Sequence, residues 1–231
     1  MIRYRWYHIV LAVFVTTLIV SNIIAVKLIA IFGLILPAAV ILFPVAYIIG
    51  DVLTEVYGYG RARQAIWIAF GCNLLAVTAI WIAGLLPPAP NWTVGGFPGP
   101  EEATHAFQAI LGYTPRLLLA SFIAYLVGEF VNAFILAKMK VLTQGRYLWT
   151  RTIGSTLIGQ GIDSLLFISI AFYGVLPSSV LTSAIVAQWV VKSTYEILAT
   201  PLTYLVVNAL KRAENVDTFD TNTDFNPLHV R

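Results

Sequence analysis

A chain of 231 residues that is 59% hydrophobic and 11% charged is excluded from the ordinary soluble class, where roughly 25% of residues are charged. Its mean hydropathy of +0.83 makes it a membrane protein by composition. The net charge of +3 says little about partners, because in such a chain the distribution of charge matters more than its sum. The single cysteine, Cys72, excludes an internal disulfide, and its apolar surroundings suit a small packing residue.

A membrane-crossing helix needs about 20 mostly apolar residues. In chain order six segments qualify: 7–32, 34–56, 65–85, 115–137, 153–174 and 180–210. The expected fold class is therefore an all-α membrane protein. It has one six-helix domain over residues 1–212 and a polar tail over 213–231. Arg3 and Arg5 precede the first apolar run, but no small-x-small cleavage site follows, so the first span is expected to be retained. Gly33 with Pro37 supplies a turn between the first two spans. The last span is long enough to tilt or to project beyond the bilayer.

Lysine and arginine orient the chain. With six spans the two termini share a side with the second and fourth loops. That side holds Arg3, Arg5, Arg61, Arg63, Lys138, Lys140, Arg146, Arg151, Lys211, Arg212 and Arg231, which is 11 of the 14 basic residues. The positive-inside rule makes it cytoplasmic. The long loop 86–114 then lies outside, Pro/Gly-rich in its first half and amphipathic over Glu101 to Leu111. Within it Asn91-Trp92-Thr93 fits a glycosylation sequon, a pattern frequent by chance. His105 has no second His or Cys spaced to join it as a metal ligand. The tail, with Glu214, Asp217, Asp220 and Asp224, is polar enough to be flexible.

Polar groups inside the spans are costly in lipid and normally face a partner or a wet cavity. Five acids lie there, Asp51, Glu55, Glu129, Asp163 and Glu196, against only Lys27 and Lys192. Helical spacing puts Tyr47, Asp51 and Glu55 on one face. Thr152, Thr156, Gln160, Asp163, Ser164 and Phe167 form a second stripe, and Gln188, Lys192 and Glu196 a third. Tyr125, Glu129 and Asn132 form a fourth; Thr17, Ser21 and Asn22 add a fifth. Lys192 and Glu196 either pair with each other or reach Asp163. Glu55, near the cytoplasmic end, reads as half of a structural latch to Arg61 or Arg63, and Asp51 and Glu55 as groups for gating or proton coupling. Asn22, Asn73 and Asn132 suit interhelical hydrogen bonds as well as ligand contacts. Gly154, Ser155, Gly159 and Gly161 permit close helix packing. Trp6, Trp67, Trp81 and Trp149 read as interface anchors, while Trp189 is deep enough to flank a pocket. The economical arrangement is a bundle whose stripes converge on one hydrated pocket. No nucleophile–base–orienter set is visible, and Ser164 beside Asp163 lacks a histidine, so enzymatic chemistry is not expected. Neither a metal, a cofactor nor a nucleic-acid partner is indicated.

FPVAYIIGDVLTEVYGYGRAR, SFIAYLVGEFVNAFILAKMK, RTIGSTLIGQGIDSLLFISIAF and KSTYEILATPLTYLVVNALK, with the closing NTDFNP, resemble the queuosine precursor transporter family. That family belongs to the vitamin-uptake-transporter-like group of six-helix membrane proteins. The resemblance implies import of 7-deazaguanines such as preQ0 and preQ1 across a bacterial or archaeal inner membrane. It implies a fold similar to the S components of energy-coupling-factor transporters. A deazaguanine offers a donor edge that a carboxylate accepts, a carbonyl, and a flat face. Asp163 or Glu196 suits the donor edge, and Gln160 and Lys192 the carbonyl side. Phe43, Tyr47, Phe167 and Trp189 are candidate aromatic shelves. Asn22, Glu129 and Asn132 complete the candidate substrate contacts. S components typically carry an AxxxA pattern in the first span, and residues 12–16 and 25–29 do not match it. That favours a solitary transporter, by facilitated exchange or proton coupling and with no obligatory ATPase partner. The alternative is a substrate-binding S component of an ATP-driven vitamin transporter. A homo-oligomer is compatible with either.

Overall fold

The computed structural model describes residues 4–31, 34–92, 95–112 and 115–229. Seven α-helices build it: α1 (Tyr7–Ile24), α2 (Phe43–Tyr57), α3 (Tyr59–Leu85), α4 (Pro100–Leu111), α5 (Pro115–Leu142), α6 (Leu148–Phe172) and α7 (Ser178–Glu214). Two short strands, β1 (Leu28–Ile31) and β2 (Leu34–Pro37), pair antiparallel between α1 and α2. Arg3, Gly33, Thr93 and Arg231, on which parts of the sequence reading rest, lie outside the described residues.

The strands are the main departure from the expected elements. The span expected over 7–32 stops being helical at Ile24, and the one expected over 34–56 begins its helix at Phe43. The intervening LIAI and LILP are rich in β-branched and aliphatic residues, and hydropathy alone does not separate a buried strand from a buried helix. Pairing Leu28 with Pro37 and Ile31 with Leu34 satisfies the backbone groups on the facing edges of the two strands. A 3-10 turn, Ala38–Ile41, then delivers the chain to α2, whose second residue is Pro44, pre-set for a helical start.

Four segments are long and apolar enough to cross a membrane: Tyr7–Ile24, Tyr59–Leu85, the stretch Pro100–Leu142 that contains α5, and Leu148–Phe172. Their outer faces are apolar without cover; Ile9, Leu75, Leu85, Leu119 and Leu165 are at least half exposed. Such surfaces belong in lipid rather than water. The fold is that of an α-helical membrane protein. Its interior is tight where helices meet on small residues, including Ala62, Ala65 and Ala69 of α3 and Ala120, Ala124 and Ala133 of α5. Helices α5 and α6 approach tightly at two glycines. A Cβ on Gly128 would stand 2.9 Å from the Asp163 Cβ, and one on Gly159 would stand 2.8 Å from that of Asn132.

The two ends of the chain meet. Glu214, the last residue of α7, accepts hydrogen bonds from the backbone N–H groups of Arg5 and Trp6 at 2.8 and 2.6 Å. The tail expected to be flexible instead folds back over the same end of the bundle. Asp220 is buried and accepts from the Tyr59 N–H, while Arg63 donates to the carbonyls of Asp224 and Asn226. Trp67, read as an interface anchor, donates its indole N–H to the Pro227 carbonyl. Two turns with positive φ, Gly58 at +84° and Gly145 at +76°, admit Thr218 and Phe219 so closely that any side chain would collide with them.

Candidate functional site

At the basic end, Glu55 is fully buried and surrounded by cations. Arg151 of α6 grips its carboxylate with two parallel hydrogen bonds, Nε to Oε2 and Nη2 to Oε1, each 2.8 Å. Lys211 of α7 adds a bond of 2.6 Å, and Lys140 of α5 lies 3.5 Å from the same oxygen. Lys140 also donates to the Glu55 and Thr218 carbonyls and, with Lys211, to Asp217 in the tail. One residue of α2 thus ties together α5, α6, α7 and the tail. The latch partners are not those expected: Arg61 donates to Gln64 and lies over Tyr4 and Tyr7, and Arg63 holds the tail. The arginine that serves is 96 residues from Glu55 along the chain, a pairing that local spacing cannot reveal.

At the opposite end a cavity of about 390 Å³ opens between α1, α3, α4, α5 and α6. Asn22, Asn73, Ser121 and Phe167 line it, with Val77 and Phe122 adding apolar wall. Asn22 Nδ2 donates to Asn73 Oδ1 at 2.9 Å, so the two asparagines both bridge α1 to α3 and present an edge to the cavity. A space of this size, mostly apolar with a few amide and hydroxyl groups, has the dimensions of a small-molecule site. Of the candidate contacts, Asn22 and Phe167 line this cavity; so does Asn73, expected either to bond between helices or to meet a ligand, while Ser121 and Phe122 carry no charge to mark them in the sequence.

Between cavity and latch runs a column of polar side chains. On α6, Asp163 lies one turn from Phe167, and it is bound by Lys192 of α7 in an ion pair. That settles the two options for Lys192 in favour of Asp163. On α5, Ser121, Tyr125 and Glu129 stack at intervals of four. Glu129 is close to Asp163 and Lys192, and its carboxylate lies against Gly50 of α2. One residue on, the Asp51 carboxyl is 1% exposed and has Glu196 of α7 and Asn132 of α5 beside it. Both oxygens of Glu196, one of Asp51 and Asn132 Oδ1 are buried without a hydrogen-bond partner among the described residues. Gln160 is buried on α6, one turn from Ser164 and Asp163. Tyr47 faces the same acids, and Phe43 packs against Tyr47 and Tyr195 with ring centres 6.1 Å apart in each case. Trp189 alone is carried elsewhere: it is 38% exposed and donates to the Leu157 carbonyl, stapling α7 to α6 over Gly161.

A polytopic helical protein with a cavity at one end, a cationic latch at the other and a file of acids between them has the parts of a membrane transporter. The chain belongs to the family described as putative vitamin uptake transporters, whose model matches residues 37–206. It is similar to a probable queuosine precursor transporter of Bacillus subtilis, 27% identical over 80% of this chain and 77% of that protein. It is 25% identical to a protein of the same name in Haemophilus influenzae, over 57% of this chain and 49% of the relative. A queuosine precursor transporter of Escherichia coli is 28% identical over 57% of this chain and 52% of the relative. No solved structure matches the chain.

Proposed function

We propose that this chain imports queuosine precursors, 7-deazaguanines such as preQ0 and preQ1, across the inner membrane, as a solitary carrier that performs no chemical step. The family, the names of the relatives and the cavity support the reading. The cavity lined by Asn22, Asn73, Ser121 and Phe167 is the observation that carries it, with the Asp163–Lys192 pair one turn along α6 from Phe167. Asp163 accepts from the donor edge of the base, Lys192 and Gln160 address its carbonyl side, Phe167 supplies a flat contact, and Asn22 a polar edge. Glu129 suits the aminomethyl cation of preQ1. Tyr47 and Phe43 wall the site from α2. In this reading the chain crosses the membrane six times with both termini in the cytoplasm. The meeting of Arg5 and Trp6 with Glu214 supports an even number of crossings, and the basic cluster at that end supports the orientation.

Counterflow of radiolabelled preQ1 into proteoliposomes containing only this chain tests the proposal. Asp163→Asn and Lys192→Ala are each expected to abolish uptake and the preQ1-dependent rise in melting temperature, while the protein still elutes as a folded species. Normal transport by both variants would move the binding site elsewhere. Flux that appears only with an added ATPase module would assign the chain to the S components instead.

A further inference from the structure

The cations of the bundle interior are distributed unevenly among its acids. Lys192 is committed to Asp163, and Arg151, Lys140 and Lys211 converge on Glu55. Asp51 and Glu196 lie side by side, each 1% exposed, with no ion pair to any described residue. Their neighbours sharpen the imbalance. Tyr47 and Glu55 stand one turn away on α2, Glu129 and Asn132 face them from α5, Asp163 comes from α6, and Lys192 and Tyr195 sit on α7 before Glu196. The titratable groups of α1 and α3 are Tyr7, His8, Tyr59, Arg61, Arg63 and Cys72. Of these, Tyr7 bonds Arg61, and Tyr59 and Arg63 bond the tail at the basic end. Two adjacent carboxylates without a counter-ion cannot both remain ionised in so dry a place, and a proton held between them is the least costly solution.

We propose that Asp51 and Glu196 form a proton-binding dyad that couples uptake to proton entry, supplied from the cavity along Tyr125 and Glu129. The inference rests on the transport reading above and assigns its driving force. Ser121 on the cavity wall, then Tyr125 with its buried hydroxyl unpartnered, then Glu129 follow one face of α5 toward Gly50 and the dyad. Each step passes a proton between oxygens and leaves no net change in the relay. Five residues beyond Glu196, Pro201 deprives the Ile197 carbonyl of its helical donor, which gives α7 a place to bend when Glu196 changes charge. Glu55, paired with three cations, is thereby assigned to the latch and not to proton transfer.

The test uses the full chain in proteoliposomes loaded with a pH-sensitive dye. Counterflow of preQ1 without a pH gradient reports transport alone. An inward acid gradient and the dye then report coupling, one pH unit sustaining about tenfold accumulation for each proton carried. The expected result is accumulation under the gradient and lumenal acidification on adding preQ1 outside. In Asp51→Asn and Glu196→Gln, both signals fall at least about tenfold relative to counterflow, with melting temperature checked on each. Wild-type counterflow with neither accumulation nor acidification would overturn the dyad while leaving the transporter reading intact. So would drive by a sodium gradient in place of protons, or full coupling in both variants. Absence of wild-type counterflow would overturn the transporter reading and the dyad's coupling role with it.

Discussion

The Glu55 carboxylate accepts from Arg151 and Lys211 at once and faces Lys140 at a distance too short for water to intervene. Removing its charge leaves buried cations uncompensated, an error that typically costs about 3–5 kcal/mol. Glu55→Gln is therefore expected to lower the thermal stability of the purified protein by several degrees. An unchanged melting curve would show the latch to be idle. The acids themselves were legible in the sequence, because charge in an apolar segment stands out, and so was their grouping into stripes. Their partners were not. Asp163 and Lys192 are 29 residues apart and Glu55 and Lys211 are 156 apart, so the choice among candidate cations is made by helix packing. Uncharged residues that line the cavity, such as Ser121 and Phe122, leave no compositional trace at all.

For the elements, apolar length foretold the helical class and placed most helices within a turn or two. It failed between α1 and α2, where an apolar run forms strands that share its hydropathy and differ only in how the backbone bonds. Apolar length also reaches too short at α3, which starts at Tyr59, because the charges of Arg61 and Arg63 interrupt the apolar run without ending the helix. The glycine stripe on α6 was visible, yet its counterpart Gly128 lay unnoticed among the acids and aromatics of α5. That crossing makes a clear prediction. In Gly128→Val the new side chain would drive into Asp163 and the Gly159 carbonyl, and overpacking of this kind costs about 1–3 kcal/mol. Because Asp163 holds Lys192, transport is expected to fall further than stability does, and Gly128→Ala should be the milder of the two. Equal loss in counterflow rate and in folded fraction would show that the glycine serves packing alone.

At the scale of the whole molecule, charge distribution gave the correct picture of one basic end, and the polar tail misled because its acids were judged without the cations they meet. Burial alone would push the Asp217 carboxyl up, but hydrogen bonds from Lys140 and Lys211, together with their charges, hold it below the ordinary value of 3.8. A group whose folded value is depressed contributes fully above its unfolded value and loses that contribution as pH falls through the folded one. The tail's anchorage is thus expected to be intact at neutral pH and to weaken below about pH 4. Protease cleavage after the tail's Phe219 or Phe225 should rise there; equal protection at neutral and acid pH would sink the assignment. One further consequence follows from the break between α1 and α2. A helix of fifteen residues rises about 22 Å, well short of a hydrocarbon core of about 30 Å. In the six-crossing arrangement proposed above, the hairpin would have to make up the difference. Acyl-chain length is then expected to act on α2, and counterflow should fall in vesicles of long-chain lipid.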